Sequence, residues 1–361
     1  MLKTEVCEIL QIEYPIILAG MAGGPTTPEL VAAVSNAGGL GTLGGAYLKP
    51  DELRNAIISI RQMTDKPFAV NLFSTDLTES SEGYLKVQEI LNDFRRELGI
   101  PLSMEKPTVE NLFNDQFQVL LDEEVPIIST AFGLLPLDKM NMAKKSGMKV
   151  IAMATTVQEG LMAQQQGVDI VVAQGSDAGG HRGTFDVEKY PNGANIGTFS
   201  LIPQMKQNLQ IPVIAAGGVM NGQGLAASLM LGAKGVQMGT RFLTSIESGA
   251  HQTYQKALLN STEDQIVLTK SFSGRPAKGI QNKFIHDFEN SGKNPLSFPS
   301  QNSLTRDIRK AAASQENPEY MSLWAGQGIR LLKDGLSAKE IIEEILGEAV
   351  SAIKELSNSL K

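Results

Sequence analysis

The sequence predicts an α/β protein built as a (β/α)8 TIM barrel with a smaller lid or substrate domain near its C-terminus. Three observations carry that expectation. Eight short apolar runs recur over about 240 residues, and most end in Gly, Ser, Thr or Asn before a helical pattern begins. The central runs lack polar alternation, which suits strands covered on both faces in a parallel sheet. The glycine-rich turns after the seventh and eighth runs fall where barrels commonly hold a phosphate. A doubly wound sheet of six or seven strands is the alternative.

Taken in order, residues 15–21 form the first strand and end in Ala22-Gly23-Gly24. Thr27 then serves as helix N-cap with Pro28 at the first helical position, and the helix stops at Gly38-Gly39. Residues 40–43 are a second strand, followed by a helix from Pro50 to about Thr64, and residues 67–73 are the third strand. From 74 to 124 the rhythm gives way to an acid-rich excursion with two helical patterns, 84–98 and 108–121. Residues 125–130 and 148–154 are the fourth and fifth strands, and Thr155-Thr156 cap the next helix. Residues 168–173 are the sixth strand, 211–216 the seventh and 235–238 the eighth.

Beyond Arg241 the pattern changes. Helices are expected over 248–260 and 304–314, with strand-like or loop pieces at 265–268, 271–275 and 282–287. A long amphipathic helix over 338–356 closes the chain. The expected organisation is a barrel from 1–243 and 321–361 with a lid or substrate domain from 244–320.

Composition narrows the function. A net charge of −7, a pI near 5.2 and no dense Lys/Arg cluster give no footing for nucleic acid or a membrane surface. The single cysteine, Cys7, excludes an internal disulfide framework and suits a reducing compartment. No secretory signal is visible, and the long uncharged window 207–233 is broken by Pro212 and by glycines, so a soluble cytoplasmic protein is expected. Three scattered histidines without a Cys or carboxylate cluster argue against a catalytic metal. No Gly-x-Gly-x-x-Gly follows a strand in a βαβ context, so there is no dinucleotide fingerprint.

Chemistry concentrates in one stretch, Val171 through Gly183, where the sixth strand runs into Gly175, Gly179, Gly180 and Gly183 and delivers His181. Residues 177–183 read as a loop whose glycines let a flat or phosphorylated ligand approach the backbone. An imidazole there can act as general base or hydrogen-bond donor, against the plainer role of holding the loop. Asp177 and Arg182 flank it and read as solvated charges or a loop-holding ion pair rather than ligand contacts. His251 and His286 lack this setting and read as structural, with His286 able to line the mouth from the lid.

The motifs Ile16-Ile17-Leu18-Ala19-Gly20-Met21-Ala22-Gly23, Val70-Asn71-Leu72-Phe73, residues 173–183 and Ala216-Gly217-Gly218 resemble those of the class I nitronate monooxygenases, formerly called 2-nitropropane dioxygenases. The glycine-rich segment 38–45 belongs to the resemblance, and Leu323-Trp324-Ala325-Gly326-Gln327-Gly328 looks like the family's C-terminal return segment. The resemblance covers nearly the whole chain. It implies an FMN barrel that oxidises alkyl nitronates such as propionate 3-nitronate with molecular oxygen, detoxifying them without a nicotinamide.

Carried over by residue, it places Ala19, Gly20, Met21 and Asn71 near the flavin ring. Gln174, Gly179 and Gly180 contact the cofactor, Gly217, Gly218, Gln237, Met238, Gly239 and Thr240 hold its phosphate, and His181 is catalytic. Gly23-Gly24-Pro25, where many members carry a bulkier residue after the first glycine, and the 74–124 excursion depart from the family pattern. Flavin-dependent enoyl-acyl-carrier-protein reductases and NADH:quinone reductases carry a similar Ala-Gly-Gly-His loop and form the alternative reading. A non-catalytic flavin carrier is a third.

Overall fold

The computed structural model describes residues 2–75 and 77–359; the outer ends of the expected barrel segments, Met1, Leu360 and Lys361, lie outside the described residues, as does Asp76 of the excursion. Eleven strands are present among these residues. They are β1 (Ile16–Leu18), β2 (Gly41–Gly44), β3 (Phe68–Phe73), β4 (Ile127–Ala131), β5 (Lys149–Ala154), β6 (Ile170–Gln174), β7 (Gly180–His181), β8 (Val213–Ala216), β9 (Gly235–Met238), β10 (Ile266–Thr269) and β11 (Ala277–Ile280).

Eight of them form one parallel sheet in the order β1-β9-β8-β6-β5-β4-β3-β2, and a parallel bridge between Ile17 and Leu40 joins the two ends into a ring. All eight expected barrel strands are therefore found at the expected places, and the doubly wound alternative is ruled out by closure. Inside the ring, Ile17, Leu40, Ala69, Ile127, Ile151, Ile170, Val172 and Ile214 pack together. Below them a helix that the periodicity did not announce, α1 (Glu5–Leu10), adds Val6, Cys7 and Leu10 to the same cluster and plugs the barrel floor. Six residues are too few for a sequence period to register, and burial of those side chains stabilises the helix instead.

Around the ring lie α2 (Pro28–Asn36) and α3 (Pro50–Met63), and then come α4 (Tyr84–Glu97), α5 (Phe113–Asp122), α6 (Leu137–Lys145), α7 (Val157–Gln165), α8 (Thr198–Asn208) and α9 (Gly222–Met230). The caps follow local chemistry. Thr27 Oγ1 accepts from Leu30 N with Pro28 next to it, and Thr156 forms a reciprocal capping box with Glu159. Further on are α10 (Gln252–Asn260), α11 (Lys283–Asn290), α12 (Ser300–Leu304), α13 (Arg306–Ser314) and α14 (Ala338–Ser359). The last of these packs between α9 and α2, so the chain's end supplies the helix that the ring lacks.

Several lid expectations change. Residues 282–287 form the cap and start of α11 rather than a strand-like or loop piece, because Asn282 caps it by accepting from Ile285 N and its apolar face buries Phe284, Ile285 and Phe288. Residues 271–275 take the loop option as a turn, and the helix expected over 304–314 breaks at Thr305 into α12 and α13. In the excursion only α5, starting at Phe113 rather than at 108, serves as a barrel helix against β3 and α3. Its partner α4 faces the other way. Val87, Leu91, Phe94 and Leu98 join a second apolar cluster with Phe272, Phe284, Phe288, Ile308 and Tyr320. Arg95, only 2% exposed, locks the two together by donating to Asp307, Gln88, Asn92 and the Leu304 carbonyl. No helix among the described residues is long and apolar enough to cross a membrane.

Candidate active site

The C-terminal ends of the barrel strands open into a cavity of about 890 Å³, near the top of the range for sites that enclose a drug-sized ligand. Every residue that the resemblance assigned to the cofactor or to catalysis lines it. Ala19, Gly20 and Met21 follow β1, Asn71 lies on β3, and Gln174, Gly179, Gly180 and His181 follow or end β6. Gly217 and Gly218 follow β8, and Gln237, Met238, Gly239 and Thr240 lie at the end of β9.

The segment carrying His181 is not a free loop. Gly180 and His181 form β7 and pair antiparallel with Lys278 and Ala277 of β11, which in turn pairs with β10. Gln174 braces the same residue from below: its Nε2 donates to the His181 carbonyl at 3.0 Å and its Oε1 accepts from Gly183 N at 2.8 Å. Arg182 is 2% exposed and not solvated or ion-paired as its charge suggested. It donates to the carbonyls of Gly175, Gln174 and Ala194 at 2.6, 2.9 and 3.1 Å, because the chain after β6 doubles back and aims those carbonyls at one point. Asp177 caps α8 by accepting from Thr198 N at 2.8 Å; burial opposes its ionisation, but the Thr198 hydrogen bonds win and keep its carboxyl below the usual range.

His181 itself sits among aromatic rings. Its ring centroid lies 5.3 Å from Trp324, 5.8 Å from Phe132 and 6.1 Å from Phe298. Nε2 lies 2.8 Å from Ser273 Oγ, which also donates to the Arg275 carbonyl at 3.1 Å. Burial first, and the charges of Arg275 and Arg309 next, push its pKa down to about 3. The imidazole is therefore neutral near pH 7, with one nitrogen able to accept a proton or a hydrogen bond. Of the other histidines, His251 reaches the rim, where its Nδ1 accepts from Thr253 N at the start of α10. His286, read as structural with the mouth as an option, lies away from the mouth, exposed beside Asp287 and Asn290.

Two places show why glycine is required. A Cβ on Gly20 would come within 2.5 Å of Asn71 Cβ, so only glycine lets Asn71 reach across to donate to Ser129 Oγ at 3.0 Å. Gly217 and Gly218 have φ of 109° and 73°, and a Cβ on Gly217 would meet Ala178 N at 2.8 Å. Among the hydrogen bonds of the described residues, the N–H groups of Gly217, Gly218 and Gly239 find no protein acceptor. Free backbone donors in a left-handed turn form an anion-binding concavity, and the right-handed turn at Gly239, with φ −107°, adds its free donor beside it. Thr240 fixes the second one to the return segment, its Oγ1 accepting from Gly326 N at 3.0 Å, while Gln327 N donates to the Asp177 carbonyl at 3.0 Å.

The comparisons agree with this geometry. The family described as nitronate monooxygenase matches residues 3–348. The chain belongs to the nitronate monooxygenase family. A probable nitronate monooxygenase of Staphylococcus saprophyticus is 44% identical over 96% of this chain and 98% of its own length. Among solved structures, a nitroalkane oxidase from Streptomyces ansochromogenes superposes with a TM-score of 0.90 at 34% identity, covering 97% of this chain and 99% of that one. FabK from Thermotoga maritima does so with a TM-score of 0.80 at 32% identity, covering 99% and 100%. The chain is thus an oxidoreductase of the nitronate monooxygenase family on a TIM barrel.

Sequence reasoning missed part of the site. Phe132 lines the cavity from the turn after β4, Phe298 packs on Phe132 and His181 from the residues just before α12, and Ser273 and Arg275 bracket His181 from the turn before β11. No local pattern marks them, since each meets His181 only through contacts between segments distant in the chain.

Proposed function

We propose that this protein is an FMN-dependent nitronate monooxygenase that oxidises alkyl nitronates, such as propionate 3-nitronate, with molecular oxygen. One observation carries the reading: a neutral imidazole shares one cavity with two adjoining turns of unpaired backbone N–H groups. Gly217, Gly218, Gly239 and Thr240 would hold the FMN phosphate, and Gly179, Gly180, Gln174, Ala19, Gly20, Met21 and Asn71 would surround its ring. Bound there, the flavin supplies the electron acceptor for the nitronate.

The remaining work falls to this chain's own side chains. His181 takes a proton from the carbon of a neutral nitroalkane, or holds the nitronate oxygens when the substrate is already ionised. Gln174 and the β7–β11 pairing fix the imidazole in place. Phe132, Phe298 and Trp324 exclude water around it. The segment 244–320 acts as the lid over the barrel mouth, and toxic nitronates are removed as they form.

Purified protein should be yellow and release FMN. Anaerobic propionate 3-nitronate should then bleach the flavin while NADH does not, and oxygen should be consumed on aeration. A second reading, a nicotinamide-fed enoyl or quinone reductase, is favoured by the cavity's size, which exceeds what a flavin and a three-carbon nitronate fill. Rapid bleaching by NADH or NADPH with none by nitronate would establish that reading and reject the first. Colourless protein that cannot be reconstituted with FMN would reject both.

A further inference from the structure

A buried cation just outside the cavity is left short of hydrogen bonds. Arg241 follows Gly239 and Thr240 in the turn after β9 and is 2% exposed. Its Nη1 is shut off from solvent and has no hydrogen-bond partner among the described residues. Arg182 and Arg275 each bury one unpaired Nε as well, but both donate to backbone carbonyls through their other nitrogens. The charge of Arg241 is met only loosely: Nη2 lies 3.6 Å from Glu344 Oε2 on α14, beyond hydrogen-bond reach, and Glu344 is shared with Lys333. Burial opposes the charged form of Arg241, while Glu344 and then Glu348 favour it. A guanidinium with a dry, unpaired N–H is costly to bury unless a polar group completes it.

Helix α14 ties this arginine to both turns of free backbone donors. Glu348, one helical turn beyond Glu344 and on the same face, accepts from Gly222 N at 2.8 Å and so fastens the start of α9, four residues after Gly218. The two helices touch there backbone to backbone: a Cβ on Gly222 would meet Ala349 N at 2.2 Å and the Ile345 carbonyl at 2.4 Å. The stretch after β9 is fastened to the segment leading into α14, with Thr244 Oγ1 donating to the Lys333 carbonyl at 2.8 Å and Ile246 N to the Leu336 carbonyl at 3.0 Å. One face of α14 therefore holds the chain after β8 and the chain after β9 together, with the Arg241 charge beside both carboxylates. Neither Arg241 nor any residue of α14 lines the cavity.

We propose that Arg241 is a positioning residue for the cofactor phosphate: it anchors the turn after β9 against α14 and supplies, from behind the cavity wall, the full positive charge that the N–H groups of Gly217, Gly218 and Gly239 lack. Helix α14 thereby takes part in selecting a phosphorylated flavin without reaching the cavity. The inference rests on the FMN reading above and extends it to residues outside the cavity. Backbone donors carry partial charges only, whereas a phosphate monoester near neutral pH carries about −1.5 to −2. A cation shut off from water is screened far less by salt than an exposed one, so its pull reaches through a turn.

The test compares the affinity for FMN with that for riboflavin, which has the same ring system and lacks the phosphate. Protein loaded with either flavin is diluted, and the fluorescence of the released flavin gives Kd for the unsubstituted chain, R241Q and R241K. The preference for FMN should fall about 10-fold in R241Q, the scale of one charge acting through partly buried protein, and recover in large part in R241K. Riboflavin binding should change little, whereas a loosened α14 would weaken both flavins alike. A second measurement needs no variant. In 31P spectra of the FMN-loaded unsubstituted protein, the bound phosphate should stay dianionic down to about pH 5, below the ordinary second pKa of about 6, and in R241Q it should titrate closer to that value.

An FMN preference unchanged in R241Q would overturn the proposal, and so would a parallel loss of both flavins, which would leave Arg241 as a packing residue under α14. A bound phosphate that titrates near pH 6 in the unsubstituted protein would overturn it without recourse to any variant. Tight FMN binding in each of these cases keeps the FMN reading intact and rejects this inference alone. Binding of neither flavin to the unsubstituted protein is a separate result that rejects both.

Discussion

Acidification should destabilise this protein through His181, and replacing that residue should remove the effect. The folded-state pKa of His181 is about 3, while an unfolded histidine titrates near 6.5. The unfolded chain therefore binds the proton more readily, so stability is intact above pH 6.5 and is lost as the pH falls toward 3. Between about pH 7.5 and about pH 5 the loss from this one group is about 2 kcal/mol at most, since the pKa gap is fully expressed only for a site shielded from cavity water. The assay is urea unfolding of the protein and of His181→Gln at both pH values, with and without FMN. His251 and His286 are common to both proteins and cancel. The unsubstituted protein should lose about 2 kcal/mol more than the variant over that interval. An identical pH dependence in the two proteins would refute the assignment of a neutral, half-buried imidazole under the influence of Arg275 and Arg309.

Three further outcomes are expected. His181→Asn should retain FMN but lose about 10²-fold or more in turnover of a neutral nitroalkane, because positioned acid–base groups contribute about 10²- to 10⁴-fold; unchanged steady-state rates would reduce His181 to a structural role. Gly217→Val should yield protein with a sharply lower flavin-to-protein absorbance ratio, since the new side chain must adopt φ near 109° and would crowd Ala178 N; full flavin content would show that this turn does not hold the cofactor. Arg95→Met should cost about 2–4 kcal/mol in denaturant unfolding by leaving Gln88, Asn92 and the Leu304 carbonyl without their donor. A change within about 0.5 kcal/mol would mean that the junction of α4 with α12 and α13 contributes little.

The barrel was legible because its signals are local. A run of buried strand residues, a glycine or hydroxyl residue at its end and a capped helix after it recur within a few tens of residues, and a parallel strand covered on both faces must be apolar throughout. The glycines at 179, 180, 217, 218 and 239 and the histidine at 181 were legible for the same reason, since each stands at the end of such a run. The floor helix α1 escaped notice because it is one and a half turns long and owes its order to the barrel interior. Arg182 was misjudged because a charge in a polar-looking loop says nothing of whether carbonyls from 174, 175 and 194 will converge on it.

What the sequence determined by itself was therefore the ring of eight strands, the family and the glycine-lined strand ends. What only the tertiary structure decided is how those ends are roofed. The pairing of β7 with β11 brings Ser273 and Arg275 from about ninety residues away to the imidazole, which burial first and the Arg275 charge next keep neutral. The packing of α4 against α13, with Arg95 donating to Asp307, holds Arg306 and Arg309 at the cavity wall. Side chains with no local period acquire a role only through long-range pairing, because desolvation and charge act over a few ångströms of space, not along the chain.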